Sequence, residues 1–305
     1  MLLRYIARRL GVALVAIFVL ATVTFFLMRL VPGDPFAGPR VAPEIRAALR
    51  EHYGLNLPLL QQYWIYMSNL LHGDLGLSLA SRGHPVTDII AQAAPVSLDL
   101  GIRAMLLAIT AGLFFGIVAA LNRGTPLDYL TVVLVLIGIS IPSFVLAGIL
   151  QYYLGVYWHV LPVARYESFW HTIMPAFALS LGTMATIARY MRSSMLEVVH
   201  ADYIKTAFAK GLTPSQVVWR HQVRNALFPI LTILGPAVAN VLTGSFVVET
   251  VFAIPGLGRY FVTAMQNLDY TLVRGMTIFF GTFLILMNFL VDVAYGLIDP
   301  RIRLS

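Results

Sequence analysis

Long apolar runs without charged residues divide the chain. A helix that crosses a bilayer core of about 30 Å needs roughly 20 predominantly apolar residues, and six runs approach or exceed this length. They cover residues 10–28, 104–122, 129–164, 168–188, 225–248 and 275–291. The third run is long enough for two spans, but a cluster of Tyr and Trp residues near its end resembles an interfacial belt and favours one. The pattern predicts an all-α membrane protein with six transmembrane helices.

The composition supports this class. Of 305 residues, 59% are hydrophobic and 11% are charged, whereas a soluble domain carries about 25% charged residues. This balance argues against a soluble enzyme and excludes a disordered chain, which needs low hydrophobicity and high net charge. Cysteine is absent, so disulfides, thiolate metal sites and cysteine nucleophiles are excluded.

The basic residues indicate an orientation. The net charge is +7, and the cytoplasmic loops of membrane proteins are enriched in Lys and Arg. With the N-terminus in the cytoplasm, most basic residues of the short segments fall on the cytoplasmic side. We therefore expect both termini in the cytoplasm and no nucleic-acid partner. The first run is as long as a full span and no A-x-A-like site follows it, so we interpret it as a retained span.

The chain divides into three predicted parts. They are residues 1–31 with the N-terminus and span 1, an extracytoplasmic helical segment at 32–95, and a core of spans 2–6 at 96–305. Helical patterns in the outer segment cover 43–53, 57–72 and 86–92, with Asn56 as a candidate cap. This small helical segment either packs over the first two spans, which we favour, or docks a soluble partner.

The cytoplasmic loop between spans 4 and 5, residues 189–224, is far longer than the two to eight residues that a helix connection needs. A helical pattern at 195–210 stops at Gly211, which suits the left-handed position after a helix end. Thr213 and Gln216 then form a T-x-x-Q capping box before a second helix. The loop is predicted to be a helical hairpin, either held by a partner or lying on anionic lipid.

The residue string of this loop resembles the cytoplasmic EAA loop of ABC-importer permeases. The string has Lys-Thr-Ala-Phe-Ala-Lys-Gly-Leu at 205–212, Arg-His at 220–221 and Asn-Ala-Leu-Phe-Pro at 225–229. The leading Glu of the family pattern is absent, as in the variant of peptide permeases. Further similar segments lie at 29–35, 72–76, 141–144, 249–252, 254–258 and 298–301. The whole chain resembles the B-type permease subunit of an oligopeptide or dipeptide ABC importer.

The resemblance implies an assembly in the bacterial plasma (inner) membrane. The chain would pair as a heterodimer with a homologous second permease, together with two ATP-binding subunits, an extracytoplasmic peptide-binding protein and membrane lipid. It would be no enzyme and would bind no cofactor or metal, since ATP and Mg belong to the partner subunits and no G-x-x-x-x-G-K-[ST] loop occurs here. Oligopeptides are the favoured substrate, with dipeptide, nickel and glutathione permeases of the same family left open.

Two groups of residues receive predicted roles, and none of them is catalytic. The residues predicted to couple the chain to the ATP-binding subunits are Thr206, Ala207, Ala209, Lys210, Gly211, Leu212, Leu227 and Pro229. The candidates for lining the translocation cavity are Pro142, Ser143, Pro175, Asn240, Ser245 and Glu249. Prolines inside spans are tolerated where neighbouring groups or water satisfy the freed backbone, so the kinked helices are expected to line the cavity.

The alternative function is an ion- or proton-coupled secondary transporter, which needs ionisable groups inside the membrane. Asp292 in the last span is a candidate, and we expect a structural ion pair there rather than an ion site. An intramembrane protease is disfavoured, since neither a G-x-S-x-G nor an H-E-x-x-H motif occurs. Gly112 and Gly116 form a G-x-x-x-G pattern that is expected to bring two helices of this chain together.

Overall fold

The computed structural model describes residues 2–30, 56–78, 83–242 and 246–298. In chain order its helices are α1 (Leu2–Leu30), α2 (Leu59–Leu71), α3 (Val86–Leu121), α4 (Pro126–Ser140), α5 (Ser143–Leu150), α6 (Phe169–Val199), α7 (Asp202–Ala209), α8 (Pro214–Val217), α9 (Arg224–Leu242), α10 (Phe246–Val251), α11 (Leu257–Gln266) and α12 (Tyr270–Ile298). Two π-helical segments, Gln151–Tyr157 and Val218–Val223, continue α5 and α8. Apart from one bridge between Leu77 and Pro85, helices are the only regular secondary structure in these ranges. The predicted all-α class is confirmed.

Within the described ranges, four helices are long and apolar enough to cross a membrane. They are Arg4–Met28, Val86–Leu121, Phe169–Val199 and Tyr270–Val293. A bent pair, Pro126–Ser140 with Ser143–Tyr157, adds up to one more crossing, with an angle of 103° between its arms. The bend falls before Pro142, because a residue that precedes proline avoids the helical backbone, and Ile141 is extended (φ −86°, ψ 119°). The structure therefore supports four or five spans.

The first of two compact units comprises residues 1–97 and 255–305. In it, α1 and α12 pair in antiparallel orientation. Arg9 Nη1 lies 2.8 Å from Asp292 Oδ2 near the N-terminal end of α1, and Phe25 packs in one cluster with Ile278 towards the other end. This pairing places the N-terminal end of α1 beside the C-terminal half of α12.

The segment between α1 and α3 packs within the same unit. Tyr66 of α2 is buried against Phe25 of α1, with ring centroids 5.3 Å apart. Before α12, the buried carboxylate of Asp269 accepts hydrogen bonds from Ser78 Oγ at 2.6 Å and from the Leu272 N–H at 3.0 Å. In its described residues before α3, the outer segment therefore packs onto α1 and the start of α12. Packing over the first two spans stays a prediction, as does docking of a soluble partner.

The second unit comprises residues 98–254, and small residues of α3 allow a close contact with α6. A Cβ at Gly112 would lie 2.8 Å from the Met184 carbonyl oxygen, and one at Gly116 would lie 2.6 Å from Met191 Cβ. The prediction that these two glycines bring two helices of this chain together is confirmed.

Two outer helices differ from their predicted bounds. The pattern at 86–92 is not a separate helix but the start of α3, which runs for 36 residues through Pro95, since no glycine separates it from the span. The pattern at 57–72 corresponds to α2, although Pro58 rather than Asn56 takes the N-cap position and no side chain caps the helix. The predicted helix at 43–53 lies outside the described residues.

Candidate functional site

The cytoplasmic hairpin begins where α6 ends. The chain turns at His200–Ala201 and α7 covers Asp202–Ala209, so the prediction of one continuous helix at 195–210 is wrong. The reason is local: Ala201 has an extended backbone (φ −70°, ψ 144°), and the carboxylate of Asp202 in the first turn of α7 favours a new helix start. The break creates a short helix that is separate from the span.

A sharp elbow follows α7. Gly211 has a φ of +81°, its N–H donates to the Phe208 carbonyl at 2.9 Å, and the Leu212 N–H donates to the Ala207 carbonyl at 3.3 Å. These are the two hydrogen bonds of a Schellman motif, in which glycine is preferred because a left-handed backbone is unfavourable for most other residues. The predicted helix end at Gly211 is confirmed.

The capping box beyond the elbow is also confirmed. Thr213 Oγ1 accepts a hydrogen bond from the Gln216 N–H at 3.4 Å, and the Thr213 N–H donates to Gln216 Oε1 at 3.0 Å. The helix begins at Pro214, becomes π-helical at Val218 and continues as α9 from Arg224. Hydrogen bonds therefore fix the backbone on both sides of the elbow.

The two arms of the hairpin pack on each other. Ile204 and Ala207 of α7 are buried with Val217 of α8, and Val198 and Leu212 are partly buried against them. Opening this contact would expose apolar surface to water, which is unfavourable. The hairpin is therefore suited to move as one body.

The predicted coupling residues divide into an exposed and an internal group. The exposed members at the elbow are Thr206, Ala209, Lys210 and Gly211. Ala207 is buried and Leu212 is half-buried inside the hairpin. Leu227 packs in the core of the second unit, and Pro229 is exposed on α9, beyond the hairpin. The structure thus brings the residues from 206 to 212 together at one elbow and places the other two on the following helix.

Three exposed aromatic side chains on the same segment were missed by the sequence reasoning. Tyr203, Phe208 and Trp219 are 42%, 48% and 61% exposed. Exposed aromatic side chains on one surface segment commonly mark a contact surface, because they bury a large area when a partner binds. The available signal was the position of Trp219 directly before the polar residues Arg220, His221 and Gln222.

A buried ion pair supports the base of the hairpin. Arg192 of α6 donates from Nε to Asp128 Oδ1 at 2.6 Å and from Nη2 to Asp128 Oδ2 at 2.8 Å. The Asp128 side chain is only 5% exposed, and the Gly124 N–H donates to it at 3.0 Å. The sequence showed Arg192 only as an orientation signal, since its partner lies 64 residues away. The pair fixes the start of α4 against α6, about two turns before the hairpin.

Two further carboxylates near the spans are paired. Asp292 contacts Arg9, so the structural ion pair predicted for it is confirmed. Asp99 accepts hydrogen bonds from Arg103 Nε at 2.7 Å and from the Tyr166 hydroxyl. Burial and the neighbouring carboxylate raise the pKa of Tyr166 to about 12, so this phenol stays protonated and donates at neutral pH. These pairs give no support to an ion-coupled mechanism.

The candidates for cavity lining occupy different environments. Pro142 is exposed at the bend between α4 and α5, and Ser143 is half-buried beside it. Pro175 of α6 and Glu249 of α10 are buried. Buried side chains do not face open space in this conformation, so their role in a cavity stays a prediction.

A small cavity lies between α6 and α9 of the second unit. It has a volume of about 250 Å³ and is lined by Gly182, Thr183, Thr186, Ile187, Ile233 and Ala237. The sequence did not single out these residues, because none of them is a proline or a charged group. The side chain of Asn240 and all of Ser245 lie outside the described residues.

Comparison with known proteins identifies the family. The family described as "Binding-protein-dependent transport system inner membrane component" matches residues 112–304, and an N-terminal family, "Binding-prot-dependent transport system membrane comp, N-term", matches residues 2–87. The dipeptide transport system permease protein DppB of Bacillus subtilis is 44% identical over 302 residues, which is 99% of this chain and 98% of the relative. The oligopeptide transport system permease protein OppB of Haemophilus influenzae is 43% identical over 305 residues, which is 99% of this chain and 100% of the relative.

A solved structure shows the same fold. A chain of the MetNI methionine ABC transporter, in inward-facing conformations, superposes with a TM-score of 0.51 at 18% identity, covering 69% of this chain and 94% of that chain. The present chain belongs to the family of binding-protein-dependent transport system inner membrane components. It is a multi-pass protein of the inner membrane, and the predicted resemblance of the chain to permease subunits of peptide ABC importers is confirmed.

Proposed function

We propose that this chain is a transmembrane subunit of an ABC importer for peptides. The observation that carries this proposal is full-length similarity to two permease proteins of peptide transport systems, one for dipeptides and one for oligopeptides. Their identities are nearly equal, 44% and 43%, so peptides are the substrate class that we assign. The narrower preference for oligopeptides stays a prediction.

The chain would work as one part of a larger complex. Its sequence holds no G-x-x-x-x-G-K-[ST] loop for nucleotide phosphates, so ATP and Mg²⁺ would bind to two separate ATP-binding subunits. A homologous second permease would complete the channel, and an extracytoplasmic binding protein would deliver the peptide. The family description, which names a binding-protein-dependent transport system, supports this division of roles.

We further propose six crossings with both termini in the cytoplasm. The antiparallel pairing of α1 and α12 supports an even number of crossings, because it puts the start of α1 and the end of α12 on the same side of the membrane. The four long helices and the bent pair make five. The 19-residue helix α9, which falls in the predicted run 225–248, is the candidate for the sixth.

The elbow would contact an ATP-binding subunit and transmit its movement. ATP-driven motion can bias the membrane part only if the contact differs between two states, and a rigid hairpin transmits such a difference better than a flexible loop. The capped helix ends and the packed arms support this rigidity. The Asp128–Arg192 pair would carry the movement on to α4 and α6.

The cavity between α6 and α9 would form part of the translocation path. Its described lining consists of glycine, threonine, alanine and isoleucine, without a charged side chain. A path for varied solutes needs sites that bind weakly enough to release them. An uncharged surface of small side chains meets that requirement.

Replacement of Gly211 by aspartate tests the proposed coupling. A Cβ at this position meets no other atom within 4 Å, so the new carboxylate would project from the elbow without a clash. The φ of +81° strains the backbone of a residue other than glycine, and the control variant accounts for that strain. We expect Gly211→Asp to insert and assemble normally, to retain ATP hydrolysis, and to lose most peptide uptake in the reconstituted complex.

The matched control is Gly73→Asp. Gly73 has a φ of +78° and also meets no atom within 4 Å, so it carries the same backbone strain away from the elbow, and uptake should persist. Full uptake by Gly211→Asp would contradict the coupling role. If both variants lose uptake, Lys210→Glu separates backbone strain from a lost contact, because it leaves the glycine in place. Loss of uptake by Lys210→Glu indicates a lost contact, and normal uptake indicates backbone strain.

A further inference from the structure

The helix α2 is uncharged along all 13 residues of Leu59–Leu71. At 1.5 Å per residue it is about 20 Å long, which is too short to cross a bilayer core of about 30 Å. One face of the helix is buried, with Gln62 and Tyr66 at 8% and 9% exposure. The rest of its surface is divided into an apolar and a polar side.

The apolar side of α2 is a continuous stripe. Leu60, Trp64 and Leu71 follow an i, i+4, i+11 spacing and therefore lie in one narrow sector of the helix. Met67 borders this sector and is partly buried against the core cluster of α1 and α12. Leu60, Trp64 and Leu71 are 68%, 64% and 85% exposed. Contiguous exposure of large apolar side chains marks an interaction surface or a membrane contact.

The polar side of α2 lies next to this stripe. Gln61, Ser68 and the C-cap residue His72 are exposed, and they lie roughly 90° further around the helix axis by the 3.6-residue period. A helix with an apolar and a polar sector side by side suits the plane between lipid and water.

Contacts with α1 set the level of α2 along the span. The Tyr63 hydroxyl lies 2.8 Å from Thr22 Oγ1. Arg29 directly follows the apolar run 10–28. Thr22 lies seven residues before Arg29, which is about 10 Å along the helix. The guanidinium of Arg274, on α12, lies 4.8 Å from the Tyr66 ring centroid. The contacts of α2 therefore lie within about the last 10 Å of the apolar run of α1 and beside a charged residue near the start of α12.

The stripe is continuous with the exposed surface of a span. Phe26 of α1 is 43% exposed and its ring stacks on Tyr63, with centroids 5.9 Å apart. Tyr63 in turn contacts Trp64, with centroids 5.8 Å apart. Aromatic side chains that follow one another in this way are typical of a membrane interface.

We propose that α2 lies in the membrane interface, with the stripe Leu60, Trp64 and Leu71 among the acyl chains of the lipid and the polar sector towards water. Lipid is the occupant that the structure favours, because the stripe joins the exposed surface of a membrane-crossing helix. The contact would anchor the segment between α1 and α3 to the bilayer.

Single cysteines test this proposal, because the chain contains none of its own. Leu60→Cys, Trp64→Cys and Leu71→Cys report on the stripe, and Gln61→Cys and Ser68→Cys are matched controls on the polar sector of the same helix. Each full chain is assembled in its complex in lipid vesicles and labelled with a nitroxide. We compare the collision rate of each nitroxide with oxygen, which concentrates in acyl chains, and with a water-soluble nickel chelate. A complex with the unsubstituted chain gives the background from labels on other subunits.

We expect oxygen collisions to exceed nickel collisions severalfold at the three stripe positions, and the order to be reversed at both control positions. The proposal is overturned if the stripe labels collide mainly with the nickel chelate, which would place them in water. It is also overturned if the stripe labels collide with neither reagent, because a protein surface would then cover the stripe. This outcome counts whether the labels are shielded from the start or only after the extracytoplasmic binding protein is added.

Discussion

Gly116 shows how one missing side chain sets the distance between two helices. A Cβ at this position would lie 2.6 Å from Met191 Cβ and 2.7 Å from the Ala188 carbonyl oxygen. The carbonyl belongs to the backbone of α6 and cannot rotate away. Any larger residue must therefore displace a helix.

We predict that Gly116→Ala lowers the free energy of unfolding by about 1–3 kcal/mol through overpacking, although alanine is the better helix former. Gly148→Ala is the matched control, since Gly148 is also helical but a Cβ there meets nothing within 4 Å. It should leave the stability unchanged or raise it by up to about 1 kcal/mol. Thermal unfolding in detergent measures both, and equal losses would contradict the close contact.

A second prediction concerns the Asp128–Arg192 pair. Removal of one partner from a buried pair costs about 3–5 kcal/mol. The Arg192 side chain is 29% exposed, so water solvates its charge in part once the partner is lost. We therefore expect Asp128→Asn to lower the free energy of unfolding by about 2–3 kcal/mol. Glu167→Gln breaks the exposed Arg165–Glu167 pair, whose side chains are 76% and 62% exposed, and should cost below about 1 kcal/mol. If chemical unfolding gives similar losses of stability for the two variants, the buried pair stabilises the fold no more than the exposed one does.

At the scale of elements, the hairpin depends on how its short helices are terminated. We predict that Thr213→Ala destabilises the start of α8 by about 1 kcal/mol, because the Gln216 N–H loses its acceptor. Hydrogen exchange should rise in peptides that cover residues 210–223 and stay unchanged elsewhere. Thr110→Ala is the control, since the exposed Thr110 hydroxyl bonds only to carbonyls within its own helix. Unchanged exchange in the hairpin would contradict the cap.

The elements also show what the sequence can predict. The helix end at Gly211 and the Thr213 box were predictable, because each signal lies within a few consecutive residues. The break at Ala201 was not predicted, since the apolar period continues through it and Asp202 alone is a weak signal for a new helix start. The Asp128–Arg192 pair was missed because pairing across 64 residues depends on the tertiary fold.

The same reasoning explains the candidate site and the number of spans. The elbow residues were found from local spacing, whereas the exposure of Tyr203, Phe208 and Trp219 depends on how the hairpin packs. The long apolar run at 129–164 indicated a membrane segment, but apolarity alone does not specify the 103° bend within it.

At the scale of the whole molecule, the proposed topology can be tested through the termini. We predict that two halves of a split fluorescent protein, fused to the N- and C-termini, reconstitute in intact cells, because the α1–α12 pairing puts both ends on one side. In the control, the second half is inserted at Gly83, an exposed turn before α3, and cells should stay dark. Dark cells with both terminal fusions would contradict an even number of crossings.

The partnership between α1 and α12 also has a consequence for biosynthesis. Arg9 leaves the ribosome long before Asp292, its ion-pair partner, and at bacterial translation rates the delay is about 15–60 s. During that interval α1 sits in the bilayer with its guanidinium unmatched and with Leu20 facing lipid instead of Gly281. Unit 1 therefore closes only after the intervening helices have been made.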